Sequence, residues 1–292
     1  MTPSSAEPIV VSWSEIDTFR QCPHKHRLGY QERWTSQGSS PALTRGIMWH
    51  ALLEYHYKSL QECPGDLERA GRVAWEFALR DPRAVQDQEV LDLLMWMYTG
   101  YVEQWGADPD WEILAVEERY HVPLLTASGQ RSRFVLKMGI DLAVKDRSMR
   151  NRIFLVDHKT GANLPAQKEL DLADQFSTYM WGLRRSGMDV FGAMWNGART
   201  KRNIKPMAPT DRFARPLLAR TDYELDTVAR EAYATARTMY SPRNLAERHP
   251  DPDTCKWKCS YVEACLMGRK TGDVKEREYL ADAGFRQDWT RH

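Results

Sequence analysis

The sequence predicts an α/β domain with a helical insertion. Three observations predict it. Residues 67–105 are rich in Leu and Trp at helical spacing, three β-branched and aromatic runs follow Pro109, and helical spacing returns from Leu170. Helices, a three-strand meander, a helix, a strand and more helices, in that order, make one α/β architecture. The chain has 292 residues, enough to bury a substantial core, and 42% hydrophobic content excludes wholesale disorder.

The elements follow in order. Residues 1–11 read as a loose lead-in. Ser12 followed by Glu15 fits a capping box, and its helix runs to about Cys22-Pro23. Gly38-Ser39-Ser40-Pro41 is a loop, and a helix carries Gly46 through Tyr57. Cys63-Pro64-Gly65-Asp66 breaks the chain before the helical stretch 67–105. Trp111 to Val122, Phe134 to Val144 and Ile153 to His158 are strands, with a turn at Ser128-Gly129-Gln130. Leu170 to Arg185 is helical, Met188 to Asn196 is a strand, and Arg199 to Lys205 is a basic loop. Thr221 to Tyr240 is a long helix capped by Thr221 or Asp222. Three regions result, integrated in one unit: a helical region 1–110, a core 111–220, and a C-terminal helix with a cysteine cluster over 221–292.

A net charge of +1 neither indicates nor excludes a nucleic-acid partner, so any such evidence must be local. No segment reaches the roughly 18 consecutive apolar residues of a membrane helix, and residues 1–10 lack a basic start and an apolar run. A soluble, cytoplasmic protein without a membrane partner is the expectation. Five cysteines in a chain of this length do not make a disulfide scaffold, and grouped cysteines in a reducing compartment bind metal.

Asp157 and Lys159 stand at i and i+2 at the end of the apolar strand Ile153-Phe154-Leu155-Val156. Period-two geometry sends both side chains to one face. Asp157 can ligate a hard divalent cation, and Lys159 can reach an attacking water or a phosphate. His158 points the other way, although its backbone carbonyl can also reach a metal. Asp141 lies 16 residues earlier, at the end of the preceding strand, and adjacent strand ends would bring the two carboxylates together. Phosphodiester cleavage needs charge stabilisation and an activated water, which Mg²⁺ or Mn²⁺ with a fixed lysine would supply. Taken alone, an Asp-x-Lys triplet is more often solvated surface or a strand-end ion pair. The order of motifs carries the reading: Gly46-Ile47-Met48-Trp49-His50, Gly139-Ile140-Asp141, Asp157-His158-Lys159-Thr160-Gly161, then Gln175 and Tyr179 on one helix face.

In these motifs the chain resembles the RecB-type branch of the PD-(D/E)XK nuclease superfamily, over about residues 12–268. The resemblance implies a restriction-endonuclease-like core, a central mixed sheet flanked by helices, and metal-dependent cleavage of DNA. It implies that His50, Asp141 and Asp157 are metal ligands with the carbonyl of His158, that Lys159 is the catalytic lysine, and that Gln175 and Tyr179 position the lysine or the DNA backbone. Glu117 or Glu118 is an outer carboxylate, with nothing to choose between them. On its own, His50 on an apolar helix face would read as a hydrogen-bonded core histidine.

Cys22 and the trio Cys255, Cys259 and Cys265 provide four thiolates, the number a [4Fe-4S] cluster needs. Iron–sulfur members of the RecB-type branch, including phage recombination exonucleases and CRISPR-adaptation nucleases, carry the same layout of one cysteine before the core and three after it. Many have two residues between the first pair of the trio, where this chain has three. Zinc in the same four sulfurs is the other reading. Cys22 and Cys255 are 233 residues apart, so ligation would close a very long loop and act as a structural clasp. Cys63 is a bystander thiol.

Arg199, Lys201, Arg202 and Lys205 form one basic run for DNA, and Arg147, Arg150 and Arg152 another. Trp195, Trp257 and Tyr261 could stack bases, although core packing is the commoner fate of an aromatic residue. The resulting expectation is an exonuclease with single-stranded DNA or DNA ends as partner, accompanied by a helicase or recombinase. A non-cleaving DNA-binding protein or a redox-sensing iron–sulfur protein on the same fold is the alternative.

Overall fold

The computed structural model describes residues 7–36, 41–80, 87–202 and 207–290. In chain order the elements are β1 (Ile9–Ser12), α1 (Trp13–Gln21), α2 (Pro23–His26), a π-helical turn (Arg27–Gln31), β2 (Trp34–Ser36), α3 (Pro41–Glu62), α4 (Leu67–Ala78) and α5 (Gln88–Trp105). Next come β3 (Trp111–Leu125), β4 (Arg131–Asp146), β5 (Arg152–Gly161), α6 (Gln167–Asp171), α7 (Asp174–Arg185), β6 (Val190–Arg199), α8 (Pro209–Arg212), β7 (Phe213–Ala214) and β8 (Leu217–Ala219). The last are α9 (Asp222–Met239), α10 (Pro252–Lys258), α11 (Val262–Thr271), α12 (Asp273–Asp282) and β9 (Phe285–Gln287). This is the expected mixed α/β fold, a central mixed sheet with flanking helices.

The chain divides into two units. One comprises residues 40–122 and 137–229, and the other residues 1–39, 123–136 and 230–292. In the first of these, β4 pairs antiparallel with β5, β5 runs parallel to β6, and β7 and β8 both pair antiparallel with β6. The parallel step needs a crossover, which α6 and α7 provide. The buried face of α3, with Met48, Leu52 and Leu53, shares one core with Leu142 and Val144 of β4 and Phe154 and Val156 of β5. Burying each large apolar side chain contributes about 1.5–3 kcal/mol, so this cluster fixes the strand ends that matter below. In the other unit, Leu28, Tyr261, Ala264 and Leu280 form a smaller core.

The helix ends show which local signals were used. At Thr221 the capping box is complete: its Oγ1 accepts from Glu224 N–H at 3.2 Å, and the Glu224 carboxylate accepts from Thr221 N–H at 2.7 Å. At Ser12 only half forms. The hydroxyl accepts from Glu15 N–H at 3.2 Å, but the Glu15 carboxylate turns inward, 3.0 Å from Nε2 of His26, and accepts from Tyr240 at 3.0 Å.

Three expectations are corrected. Ile9–Ser12 is a strand and not a loose lead-in. The stretch from Leu170 to Arg185 is two helices, because the first ends at Asp171. The α3 helix is longer than read, beginning at Pro41, whose fixed φ suits a first turn. The expected loop at residues 38–40 lies outside the described residues, as does Lys205.

Candidate active site

Helix α3 supplies His50, β3 supplies Glu117, β4 supplies Asp141, β5 supplies Asp157, His158 and Lys159, and α7 supplies Gln175 and Tyr179. The β4–β5 register ends at Leu142 opposite Val156, so Asp141 and Asp157 are the next residues along the two strands. His50 Nδ1 lies 3.5 Å from Asp141 Oδ2, and the donor atoms of His50, Glu117 and Asp141 all fall within 4.8 Å of one another. Lys159 Nζ is 2.5 Å from Asp157 Oδ2, as period-two geometry requires.

Electrostatics separates the acids. Burial by itself would raise the Asp141 carboxyl, but the hydrogen bond to His50 and the neighbouring histidines and Lys159 hold it down at about 2. Burial opposes charge on His50, and Asp141 more than compensates, so its pKa is raised. Asp157 moves the other way: complete burial pushes its carboxyl up, against the pull of Lys159. Lys159 is half-buried, and Asp157 raises its pKa and keeps it an ammonium. Burial raises the Tyr179 phenol and the Asp157 charge adds to this, against a hydrogen bond from Gln175 and the Lys159 charge.

Of the two glutamates the sequence left undecided, Glu117 is the one brought to His50 and Asp141. Its φ is +52° in the middle of β3, and this left-handed residue breaks the strand alternation: Ala115 and Val116 are buried in succession and residues 117–119 are exposed in succession. Glu118 accepts from Tyr120 Oη at 2.8 Å instead. Loss of water on the protein side, then the charges of Asp141 and Glu54, push the Glu117 carboxyl up to about 7. One imidazole and two carboxylates suit Mg²⁺ or Mn²⁺. The Asp157 carboxylate is buried and bonded through Oδ2 to the Lys159 ammonium.

His158 contributes through its main chain. Its N–H donates to Asp141 Oδ2 at 2.6 Å, while its imidazole is 1% exposed and turned into the core, where burial lowers its pKa to about 3.

The four predicted cluster cysteines line one cavity of about 550 Å³. All are half-buried free thiols. Cys22 Sγ accepts N–H groups of Lys25 and His249, each at 3.5 Å. Among the described residues, no three of these sulfurs lie within 4.8 Å of one another. Of the basic run, Arg199 pairs with Gly161 at the same end of β5 as Lys159, and donates to Ala162 and Asn163. Lys201 is exposed, and Arg202 donates to the Asp92 carbonyl and sits over the Trp96 ring. Arg147 and Arg152 are at the other end, Arg152 roughly 20 Å along the strand from Lys159. Trp195 and Tyr261 are buried, so stacking on bases is open to Trp257 alone of the three, at 74% exposed.

A mixed sheet that delivers two acids and a lysine from adjacent strand ends, faced by a histidine from a helix, has the layout of an α/β nuclease core. The chain belongs to the PD-(D/E)XK nuclease superfamily, whose family model matches residues 10–266. Two solved structures are similar. SSO0001 is 14% identical, with 88% of this chain and 86% of that one covered and a TM-score of 0.38. A protein from Eubacterium rectale, described as a "putative exonuclease", is 12% identical, with 85% and 92% covered and a TM-score of 0.41. No curated protein matches the chain. No helix among the described residues is long and apolar enough to cross a membrane.

Proposed function

We propose that this chain is a divalent-metal-dependent deoxyribonuclease of the RecB-type branch, an exonuclease acting at DNA ends in recombination or repair, with a structural [4Fe-4S] cluster. The observation that carries the reading is the meeting of His50, Glu117 and Asp141 within 4.8 Å, with buried Asp157 paired to half-buried Lys159. His50, Glu117, Asp141 and Asp157 would hold the metal, with the carbonyl of His158. When bound, it supplies charge stabilisation and an activated water near neutral pH. Lys159 holds a fixed positive charge where the transition state builds negative charge. Tyr179 and Gln175 keep that ammonium in place from α7, and Arg199 and Lys201 offer phosphate contacts at the same strand end.

The cluster reading is supported by the shared lining: Cys22, Cys255, Cys259 and Cys265 all border one cavity of about 550 Å³ and supply the four thiolates a [4Fe-4S] cluster needs. The test of the whole reading is cleavage of 5′- and 3′-labelled linear DNA, single- and double-stranded, by anaerobically purified protein with Mg²⁺ or Mn²⁺. Degradation that requires the metal and disappears in Asp157→Ala and Lys159→Ala is expected. Retained cleavage in both variants would overturn the assigned site.

A further inference from the structure

Behind the candidate site runs a buried polar chain that no motif marks. Asn196 of β6 stands beside His158 in the parallel register, and both are 1% exposed. Asn196 Nδ2 lies 2.8 Å from His158 Nδ1 and 2.7 Å from Tyr101 Oη. Asn196 Oδ1 accepts from Arg215 Nε at 3.0 Å. An arginine can only donate, so Arg215 settles which way the amide points: oxygen to the guanidinium, NH₂ to the histidine. His158 Nδ1 must then accept, and the ring carries its proton on Nε2.

Arg215 is itself held fast. Asp108 accepts from both its terminal nitrogens, Tyr57 and Tyr101 accept from Nη2 at 3.0 and 2.8 Å, and the rings of Trp105 and Trp111 lie 4.0 and 4.2 Å from its guanidinium carbon. Tyr57 also stacks on the His158 ring, with centroids 5.7 Å apart and planes 13° apart. The imidazole is therefore gripped at its edge and on a face, while the same residue's N–H reaches Asp141.

We propose that Asn196 and Arg215 are positioning residues for the metal site. They hold His158 in one tautomer and orientation from the interior, so that its main chain meets Asp141 and its neighbours Asp157 and Lys159 face the opposite side. The role rests on the metal-dependent reading of the site, but the tautomer does not. Ring-nitrogen NMR of histidine-labelled protein should show His158 protonated on Nε2. Asn196→Asp keeps the volume and leaves Arg215 an acceptor, but offers Nδ1 no donor, so the ring proton should move to Nδ1. Mn²⁺ affinity without DNA, read by electron paramagnetic resonance of the free ion, should fall about 10–100-fold in this variant and in Asn196→Leu. A wild-type ring protonated on Nδ1 overturns the proposal, as does a folded Asn196→Asp with unchanged Mn²⁺ affinity. A wild-type chain with the Nε2 proton but no Mn²⁺ binding overturns the metal reading, and the positioning role with it.

Discussion

Oδ2 of Asp141 accepts the backbone N–H of His158 at 2.6 Å and lies 3.5 Å from Nδ1 of His50. One carboxylate oxygen thus ties a helix, α3, to two strands, β4 and β5. The hydrogen bonds and neighbouring charges that hold Asp141 also keep it ionised, with its carboxyl at about 2.

Asp141→Asn separates the two duties. An amide oxygen can still accept from His158, so the fold should survive, with a melting temperature within a few degrees of wild type. The charge for the metal is gone, and cleavage should fall by about 100-fold or more. Labelled-DNA cleavage beside a thermal melt reads both. Near-wild-type cleavage would remove Asp141 from the site.

The pair Asp108–Arg215 is buried, with side chains 7% and 8% exposed. Breaking such a pair leaves an unpaired charge in the core, at a cost of about 3–5 kcal/mol. Asp108→Ala should lower the unfolding free energy by that amount in urea titrations. Breaking an exposed pair such as Lys275–Glu278 should leave the unfolding free energy almost unchanged. Equal effects from the two would contradict the network's place in the core.

These residues also show where the sequence stops being readable. Asp157 and Lys159 were legible because a two-residue period needs no tertiary knowledge. Glu117 was not, because a left-handed residue inside a strand shifts which side chains face inward, and neither Glu117 nor Glu118 betrays it. Asn196 follows the apolar run Ala193-Met194-Trp195 in β6, a sign of a buried partner, but its partners Arg215 and Tyr101 are 19 and 95 residues away. The capping box at Ser12 was read from spacing that fits, yet Glu15 had a better offer from His26 and Tyr240 in the core. Local pattern finds elements and motifs, and long-range pairing decides which polar groups go inside.

His56 gives the fold a pH limit. It is buried against Tyr98, and burial, then the charge of Arg215, lower its pKa from 6.5 to about 4. The unfolded chain therefore binds a proton between pH 6.5 and 4 that the folded chain refuses. Stability is fully present above pH 6.5 and is lost as pH falls toward 4, by about 3 kcal/mol from this residue. Urea unfolding at pH 7.5 and 4.5 measures the drop. In His56→Gln the drop should shrink by about that amount, and an unchanged drop would show that His56 titrates normally.

Removing one proposed cluster ligand tests the proposed clasp. Cys22 lies 233 residues before Cys255, and both line the same cavity, so a bound cluster joins chain segments that nothing else joins covalently. A group that binds the folded state alone stabilises it by mass action. Anaerobically purified wild type should be brown, with four irons and four sulfides per chain. Cys259→Ala should lose the colour and the iron and about 3 kcal/mol of stability, lowering the melting temperature by roughly 6–12 °C. Cys63→Ala should change neither, since Cys63 is not among the residues lining that cavity. A colourless wild type with one zinc per chain would assign the four sulfurs to zinc. Iron retained in Cys259→Ala would remove Cys259 from the ligand set.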